Sequence, residues 1–128
     1  MSIEMNKILV LGFGLLVSLL LQCEQVHAVE YTVGDEKGWS PSADLSHWTE
    51  GKKFKAGDVL VFKYTDPNLY VVAISNEDSY VHCDLYAGGM DRYRSGNDHV
   101  VLKKGINYFI PAGGSYCEKG MKIAVDAE

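Results

Sequence analysis

Short apolar runs separated by glycine, aspartate and asparagine dominate the chain after residue 28. The clearest alternation lies near the carboxyl terminus, where Met121, Ile123 and Val125 alternate with polar or small residues, as in a half-buried strand. A short helical turn near Cys83 fits the sequence, but no segment in this region has the periodicity of a substantial amphipathic helix. The pattern predicts an all-β, antiparallel sandwich of seven or eight strands.

Turn residues set the expected strand boundaries. Gly57 and Asp58 precede one apolar run, and Pro67 follows it, since proline and glycine end or begin extended segments. The predicted strands cover residues 31–33, 59–64, 70–74, a weak strand from Tyr93 to the turn at Ser95-Gly96-Asn97, then 100–102, 106–110 and 121–125.

The first 28 residues have a different pattern. An uncharged apolar run over 8–21 follows Lys7 and leads to Val26-His27-Ala28, a small-residue cleavage pattern. The run is shorter than the ~20 apolar residues that a membrane helix needs. We therefore predict a secretory signal peptide over 1–28 and a mature domain over 29–128, with a retained amino-terminal anchor as the alternative. The sequence does not have the hydrophobic carboxyl-terminal tail that precedes attachment of a glycolipid anchor. We therefore expect a secreted, extracellular product without a membrane anchor.

Three cysteines are present, and two of them, Cys83 and Cys117, lie in the predicted mature domain. Cys23 would leave with the leader. Thiols pair on an oxidising secretory route, so we predict a Cys83–Cys117 disulfide. A redox-active pair is the alternative, although the two cysteines lack C-x-x-C spacing.

Charge and composition limit the partners. The chain has 128 residues, enough for one domain, and carries 12 lysines and arginines against 17 aspartates and glutamates, a net charge of −5. Proteins that hold a phosphate backbone need a basic surplus, so no nucleic-acid partner is expected. The hydrophobic and charged fractions, 47% and 23%, are those of a globular protein, for which we expect a monomer.

Several short fragments occur in a fixed order within 29–128. They are Tyr31-Thr32-Val33-Gly34, Gly38-Trp39, Gly57-Asp58, Tyr93-x-Ser95-Gly96-x-Asp98, Tyr108-Phe109-Ile110, Cys117 and Gly120-Met121-Lys122. In this order and spacing they resemble the plant phytocyanin family, which includes the basic blue proteins. The resemblance implies a cupredoxin-like Greek-key β-sandwich with one disulfide, whose usual activity is one-electron transfer at a blue copper centre.

Blue copper is held by two imidazoles and one thiolate, with a weak axial Met or Gln. The resemblance places the first histidine of the family at Leu69, the cysteine at Pro111 and the second histidine at Tyr116. Only the axial position is kept, as Met121. A single thioether is too weak to hold copper, so we expect a vacated site and no metal cofactor. Pro111 has no N–H to donate, so it should lie at a strand end.

Other chemistry-bearing residues form no convincing set. His47, His82 and His99 lie on different segments without the close spacing of a metal-ligating pair. Ser115 lies in a glycine-rich stretch but lacks the strand–turn–helix setting of a nucleophile. An enzyme is therefore not expected.

Two interpretations of function follow. In the first, the protein is a metal-free binding or signalling module of the plant cell wall, similar to the early nodulin-like branch of the family. Its partner would be a protein, a polysaccharide or a small apolar ligand in the apoplast, bound by a patch of Leu69, Tyr70, Tyr116 and Met121. Alternatively, these side chains only fill the space of the missing metal. The second interpretation is an electron-transfer copper protein with an unorthodox site.

Overall fold

The computed structural model describes residues 27–113 and 115–128. Most of the predicted signal peptide therefore lies outside the described residues. The described chain forms seven strands in two sheets, and the predicted all-β fold is confirmed. In chain order the strands are β1 (Glu30–Thr32), β2 (Val59–Lys63), β3 (Val71–Ile74), β4 (Asp91–Tyr93), β5 (Asn97–Val101), β6 (Gly105–Pro111) and β7 (Ile123–Ala127).

The helical segments that the structure describes are short. Two are α-helices, α1 (Leu45–Trp48) and α2 (Glu77–Val81), and two are 3₁₀ turns, Asp35–Lys37 and Pro67–Leu69. Helix α2 lies where a helical turn near Cys83 is predicted. Asn76 caps its amino-terminal end: the Asn76 side chain accepts a hydrogen bond from the Ser79 N–H at 2.8 Å and so satisfies a donor that the first turn leaves free.

The sheets have the orders β1-β2-β5 and β4-β3-β6-β7. All pairs are antiparallel except β1 with β2, which is parallel, with Glu30 opposite Val59. The prediction of a purely antiparallel sandwich is wrong for this pair. A parallel pair needs a long crossover connection, and residues 33–58, with α1 among them, supply it.

Strand boundaries differ from the prediction at polar positions. Tyr93 ends β4 instead of starting a strand, and β4 is an edge strand whose first residues are exposed and charged. Asn97 begins β5 opposite Lys63, instead of ending a strand. Near the carboxyl terminus, β7 starts at Ile123 and not at Met121. Hydrophobic alternation cannot detect the exposed, charged residues that begin β4. It also cannot tell a buried residue that precedes a strand, such as Met121, from one within the strand.

Three aromatic side chains fill the space between the sheets. Trp39 packs edge-on against Phe62 with ring centroids 5.1 Å apart, and Phe62 lies 5.1 Å from Phe109. Trp39 is positioned by a hydrogen bond between backbones, since its backbone N–H donates to the Lys63 carbonyl at 2.9 Å. A side chain at the preceding residue, Gly38, would meet that carbonyl oxygen at 2.6 Å, so only glycine fits there.

The predicted disulfide Cys83–Cys117 is confirmed. It joins the segment after α2 to the connection between β6 and β7, across a sequence separation of 34 residues. Closing a loop of this length stabilises a folded domain by about 4 kcal/mol in the chain-entropy model. The bond therefore anchors the connection that carries Tyr116, the residue before Cys117.

Candidate functional site

The family resemblance assigns the ligand positions to four residues, Leu69, Pro111, Tyr116 and Met121, which we call the ligand-position cluster. They come from the 3₁₀ turn before β3, the end of β6 and the connection from β6 to β7. The turn before β3 is fixed locally: Pro67 starts it, and the Asp66 carboxylate accepts from the Asn68 N–H at 2.9 Å.

Leu69 lies inside the protein. It is 4% exposed and belongs to the same buried cluster as Trp39 and Met121. Its backbone carbonyl accepts a hydrogen bond from the Trp39 indole N–H at 2.7 Å. The leucine expected at the position of the first histidine is thus a core side chain, and its backbone carbonyl satisfies the one polar side-chain atom of the buried Trp39.

Pro111 is the last residue of β6, as its missing N–H predicts. It lies opposite Val71 of β3 and is fully buried. The next residue, Ala112, donates its N–H to the Tyr70 carbonyl at 2.9 Å, so pairing with the neighbouring segment continues past the proline. The position that the family resemblance assigns to the cysteine is therefore a buried strand residue with no ligating side-chain atom.

Tyr116 and Met121 both lie in the connection from β6 to β7. The Met121 N–H donates to the Tyr116 carbonyl at 3.0 Å, and Met121 is only 6% exposed. Tyr116 is half-buried and packs against the core. Both line a cleft of about 320 Å³ that also includes Leu45 and Lys119.

The predicted binding patch of Leu69, Tyr70, Tyr116 and Met121 is not one exposed surface. Leu69 and Met121 are buried because their side chains fill the space between the sheets. Tyr70 packs against a second buried cluster, and the Arg94 guanidinium lies 4.3 Å from its ring centroid. Of the four side chains, Tyr70 and Tyr116 keep partly accessible rings, and they pack against different clusters.

A neighbouring polar group, which we call the carboxylate network, consists of Tyr64, Ser95 and Asp98. Asp98 is 6% exposed and accepts hydrogen bonds from the Tyr64 hydroxyl, the Ser95 hydroxyl and the Ser95 N–H. Burial, and to a smaller extent the hydrogen bond to Asp98, raises the pKa of Tyr64 to about 12. Sequence reasoning missed this network, because only the β2–β5 register brings residues 64 and 98 together.

His47, His82 and His99 are exposed and lie on separate segments of the chain. His47 pairs with Asp44 at 2.8 Å, and this hydrogen bond raises the pKa of the imidazole. The hydrogen bond from Ser46, and to a smaller extent the one from His47, lowers the pKa of Asp44. Although these three residue types occur in hydrolases, Ser46 and Asp44 both contact the same ring nitrogen, which is not the arrangement of a proton-relaying triad.

Comparison with known proteins identifies the family. A family model described as a plastocyanin-like domain matches residues 39–121. The chain is 43% identical to the chemocyanin of Lilium longiflorum over 122 residues, which cover 95% of this chain and 93% of that protein. The chain belongs to the plant phytocyanin family. A basic blue protein of Arabidopsis thaliana is 45% identical over 109 residues, or 85% of this phytocyanin and 81% of the relative.

The solved structure of the cucumber basic protein, titled a blue copper protein, has the same fold. It superposes with a TM-score of 0.69 and 38% identity, covering 78% of this phytocyanin and 100% of that chain. The cupredoxin-like sandwich expected from the sequence is thereby confirmed. Phytocyanins are generally extracellular or cell-surface proteins. Within 27–113 and 115–128, no helix is long and apolar enough to cross a membrane.

Copper, the cofactor of the family, does not fit the side chains in the ligand-position cluster. Leucine and proline side chains carry no donor atom, and neither tyrosine nor methionine is a substitute for the thiolate that gives the strong equatorial bond. The cluster also contains no buried polar side-chain atom that lacks a hydrogen-bond partner and that a metal would satisfy. Nowhere else in the described ranges do three His, Cys, Asp or Glu side chains converge.

Proposed function

We propose that this phytocyanin has lost the type 1 copper site and acts as an extracellular, non-redox binding module of the plant cell wall. The observation that carries this proposal is the burial of Leu69 and Pro111, the two residues that the family resemblance aligns with equatorial ligands. Both residues contribute hydrocarbon to the core, and neither can be oxidised or reduced at biological potentials.

Packing explains why the site would be lost as a unit. A single histidine left among buried apolar side chains would have unpaired ring nitrogens, and leaving a buried polar group unpaired costs about 1–3 kcal/mol. The cluster keeps only the Met121 thioether, which is compatible with an apolar environment. The ligand-position cluster thus has no buried imidazole or thiolate that a metal would have to bind or neutralise.

Restoring the ligands tests this part of the proposal. The variant Leu69→His/Pro111→Cys/Tyr116→His should take up one Cu(II) per chain and gain intense thiolate-to-copper absorption. The wild-type protein, refolded beside it with equimolar Cu(II) and then dialysed, should show neither. If the triple variant folds and binds no copper, these three residues are not at the ligand positions.

The surface that we assign to binding is the cleft beside Tyr116. Its volume of about 320 Å³ is at the lower end of small-ligand sites, and it combines apolar walls from Leu45 and Met121 with the Tyr116 ring and the Lys119 ammonium. Sugar rings stack on aromatic faces while their hydroxyl or carboxylate groups bond to lysine. A cell-wall polysaccharide is therefore the partner class that this surface suits.

Binding to a defined panel of wall polysaccharides tests the second part. Tyr116→Ala should weaken the interaction at least tenfold by removing the aromatic face, as truncation of a binding hot spot does. Tyr86→Ala is the matched control, because Tyr86 is 92% exposed and does not line the cleft. Equal affinities of the two variants, or no binding to any polysaccharide, would contradict this assignment.

A further inference from the structure

The carboxylate of Asp58 is buried where β2 begins. The residue is 4% exposed, and its two oxygens accept hydrogen bonds from backbone nitrogens: Oδ1 from Val29 at 3.0 Å and Oδ2 from Lys55 at 2.9 Å. Burying a carboxylate is costly unless the charge is paired as well as hydrogen-bonded. The Asp58 carboxylate therefore needs a positively charged group close to it.

No lysine, arginine or histidine of the described residues supplies that charge. The ion pairs in these ranges are His47–Asp44 and His82–Asp78, both at the surface. Asp98, the other buried carboxylate of these ranges, accepts three hydrogen bonds, two of them from the hydroxyl groups of Tyr64 and Ser95. Asp58 has two, both from amides.

Val29 is the residue that follows the Val26-His27-Ala28 cleavage pattern. Its carbonyl accepts from the Val59 N–H at 2.9 Å, and the next residue, Glu30, starts the parallel ladder with β2. His27 and Ala28 are exposed. Val29 is thus joined to the fold through both its nitrogen and its carbonyl oxygen.

We propose that a leader-removing peptidase cuts between Ala28 and Val29, and that the new α-ammonium of Val29 is the counter-ion of Asp58. Hydrolysis adds water across this peptide bond, so Ala28 leaves with a carboxylate and the Val29 nitrogen becomes a cation. That nitrogen lies 3.0 Å from Asp58 Oδ1. Removal of the leader therefore converts a neutral hydrogen bond into a charge-assisted one and completes the amino-terminal edge of the sandwich.

The ion pair gives stability a defined pH dependence. The α-amino group titrates near pH 7.7–8.0 in an unfolded chain, and a carboxylate partner raises the pKa in the folded state. The stabilisation is fully present below the unfolded pKa and is lost as pH rises through the folded pKa. The charged side chains on the adjoining segments are exposed; they are Glu30, Lys55, His99, Lys103 and Glu128.

The position of the cut is tested first, on the full chain. The complete sequence is expressed in a secreting eukaryotic host, and the amino terminus of the secreted product is read by intact mass and terminal sequencing. We expect Val29 as the first residue. A first residue at any other position would overturn the proposal, because it would move the α-ammonium away from Asp58.

The counter-ion role is tested on the mature chain, which contains every strand described above. One form starts at Val29 and the other starts at Ala28, one residue earlier. The equilibrium constant for unfolding at pH 6 should be about tenfold higher for the Ala28 form, which corresponds to a change of one unit in the pKa of the α-amino group. The two forms should become equally stable above pH 10, and also at pH 6 when both carry Asp58→Asn.

NMR titration of the Val29 α-amino group gives a second readout that needs no variant. We expect its pKa about one unit above the usual value, and this result stands even if Asp58→Asn does not fold. An ordinary α-amino pKa, or equal stability of the two forms at pH 6, would show that Asp58 has no ammonium partner.

Discussion

The ligand-position cluster and the carboxylate network lie in one sandwich and have opposite chemistry. In the cluster, Leu69, Pro111 and Met121 are buried hydrocarbon and thioether. In the network, the Asp98 carboxylate is equally buried, and three hydrogen bonds satisfy it. The interior of this fold therefore accepts a polar group only where a complete set of partners surrounds it, and a metal site can be lost when apolar side chains replace the ligands together.

Removal of the disulfide should have the largest effect and should separate the two regions. In the double variant Cys83→Ser/Cys117→Ser, the free energy of unfolding should fall by about 4 kcal/mol, because the unfolded chain regains the entropy of an open loop. The connection that carries Tyr116 should lose protection from hydrogen exchange before the carboxylate network does. Urea unfolding and exchange rates measure both, and reduced wild-type protein is the control; simultaneous loss in the two regions would contradict the difference.

Truncation of Leu69 tests whether the ligand-position cluster is a packed core. Leu69→Ala should lower the free energy of unfolding by about 3 kcal/mol, since buried leucine-to-alanine changes cost 2–5 kcal/mol. Ile106→Ala, at a residue that is 56% exposed, is the control and should cost under about 1 kcal/mol. Similar losses in urea unfolding for the two variants would indicate an open space behind Leu69.

Removal of one donor tests the carboxylate network. Tyr64→Phe should cost about 1–2 kcal/mol, because Asp98 then loses one of its hydrogen bonds while the ring remains in place. The control is Tyr86→Phe, which removes an exposed hydroxyl and should leave the urea midpoint unchanged. A Tyr64→Phe protein as stable as wild type would mean that the two Ser95 donors satisfy Asp98.

The alkaline limit of stability gives a smaller effect of known sign. The Tyr64 pKa is about 12 in the folded protein and near 10 in an unfolded chain, so the folded state favours the neutral phenol. The resulting stabilisation is present below pH 10 and is lost as pH rises toward 12. Burial also raises the pKa of Tyr80 and Tyr93, which adds loss in the same direction. The stability difference between wild type and Tyr64→Phe should narrow from pH 9 to pH 11; a constant difference would contradict a raised pKa of Tyr64 in the folded protein.

Much of the fold was predictable because buried strands leave a pattern in the sequence. Leu60 and Phe62, alternate residues of β2, are both fully buried, as their spacing predicts. The parallel β1–β2 pair was not predictable, since strand direction depends on the path of the connection. Edge strand β4 was placed wrongly for a related reason: the charged residues Asp91 and Arg92 give no hydrophobic signal.

The sequence did not show how exposed the predicted site residues are. The family resemblance assigned the four positions of the ligand-position cluster, and the structure places Leu69, Tyr116 and Met121 in or against one buried cluster. The sequence does not show that the Trp39 indole donates a hydrogen bond to the Leu69 carbonyl, nor that the Arg94 guanidinium packs on the Tyr70 ring. Both contacts join segments that are distant along the chain. The accessible surface next to the ligand-position cluster is consequently the cleft beside Tyr116 and not the four-residue patch.

The copper content of the secreted wild-type protein is the measurement that tests the central claim most directly. Untagged protein is incubated with Cu(II), dialysed, and analysed for copper per chain together with its visible spectrum. A vacated site predicts far less than one copper per chain and no thiolate-to-copper absorption. One tightly held copper per chain with that absorption would contradict the account.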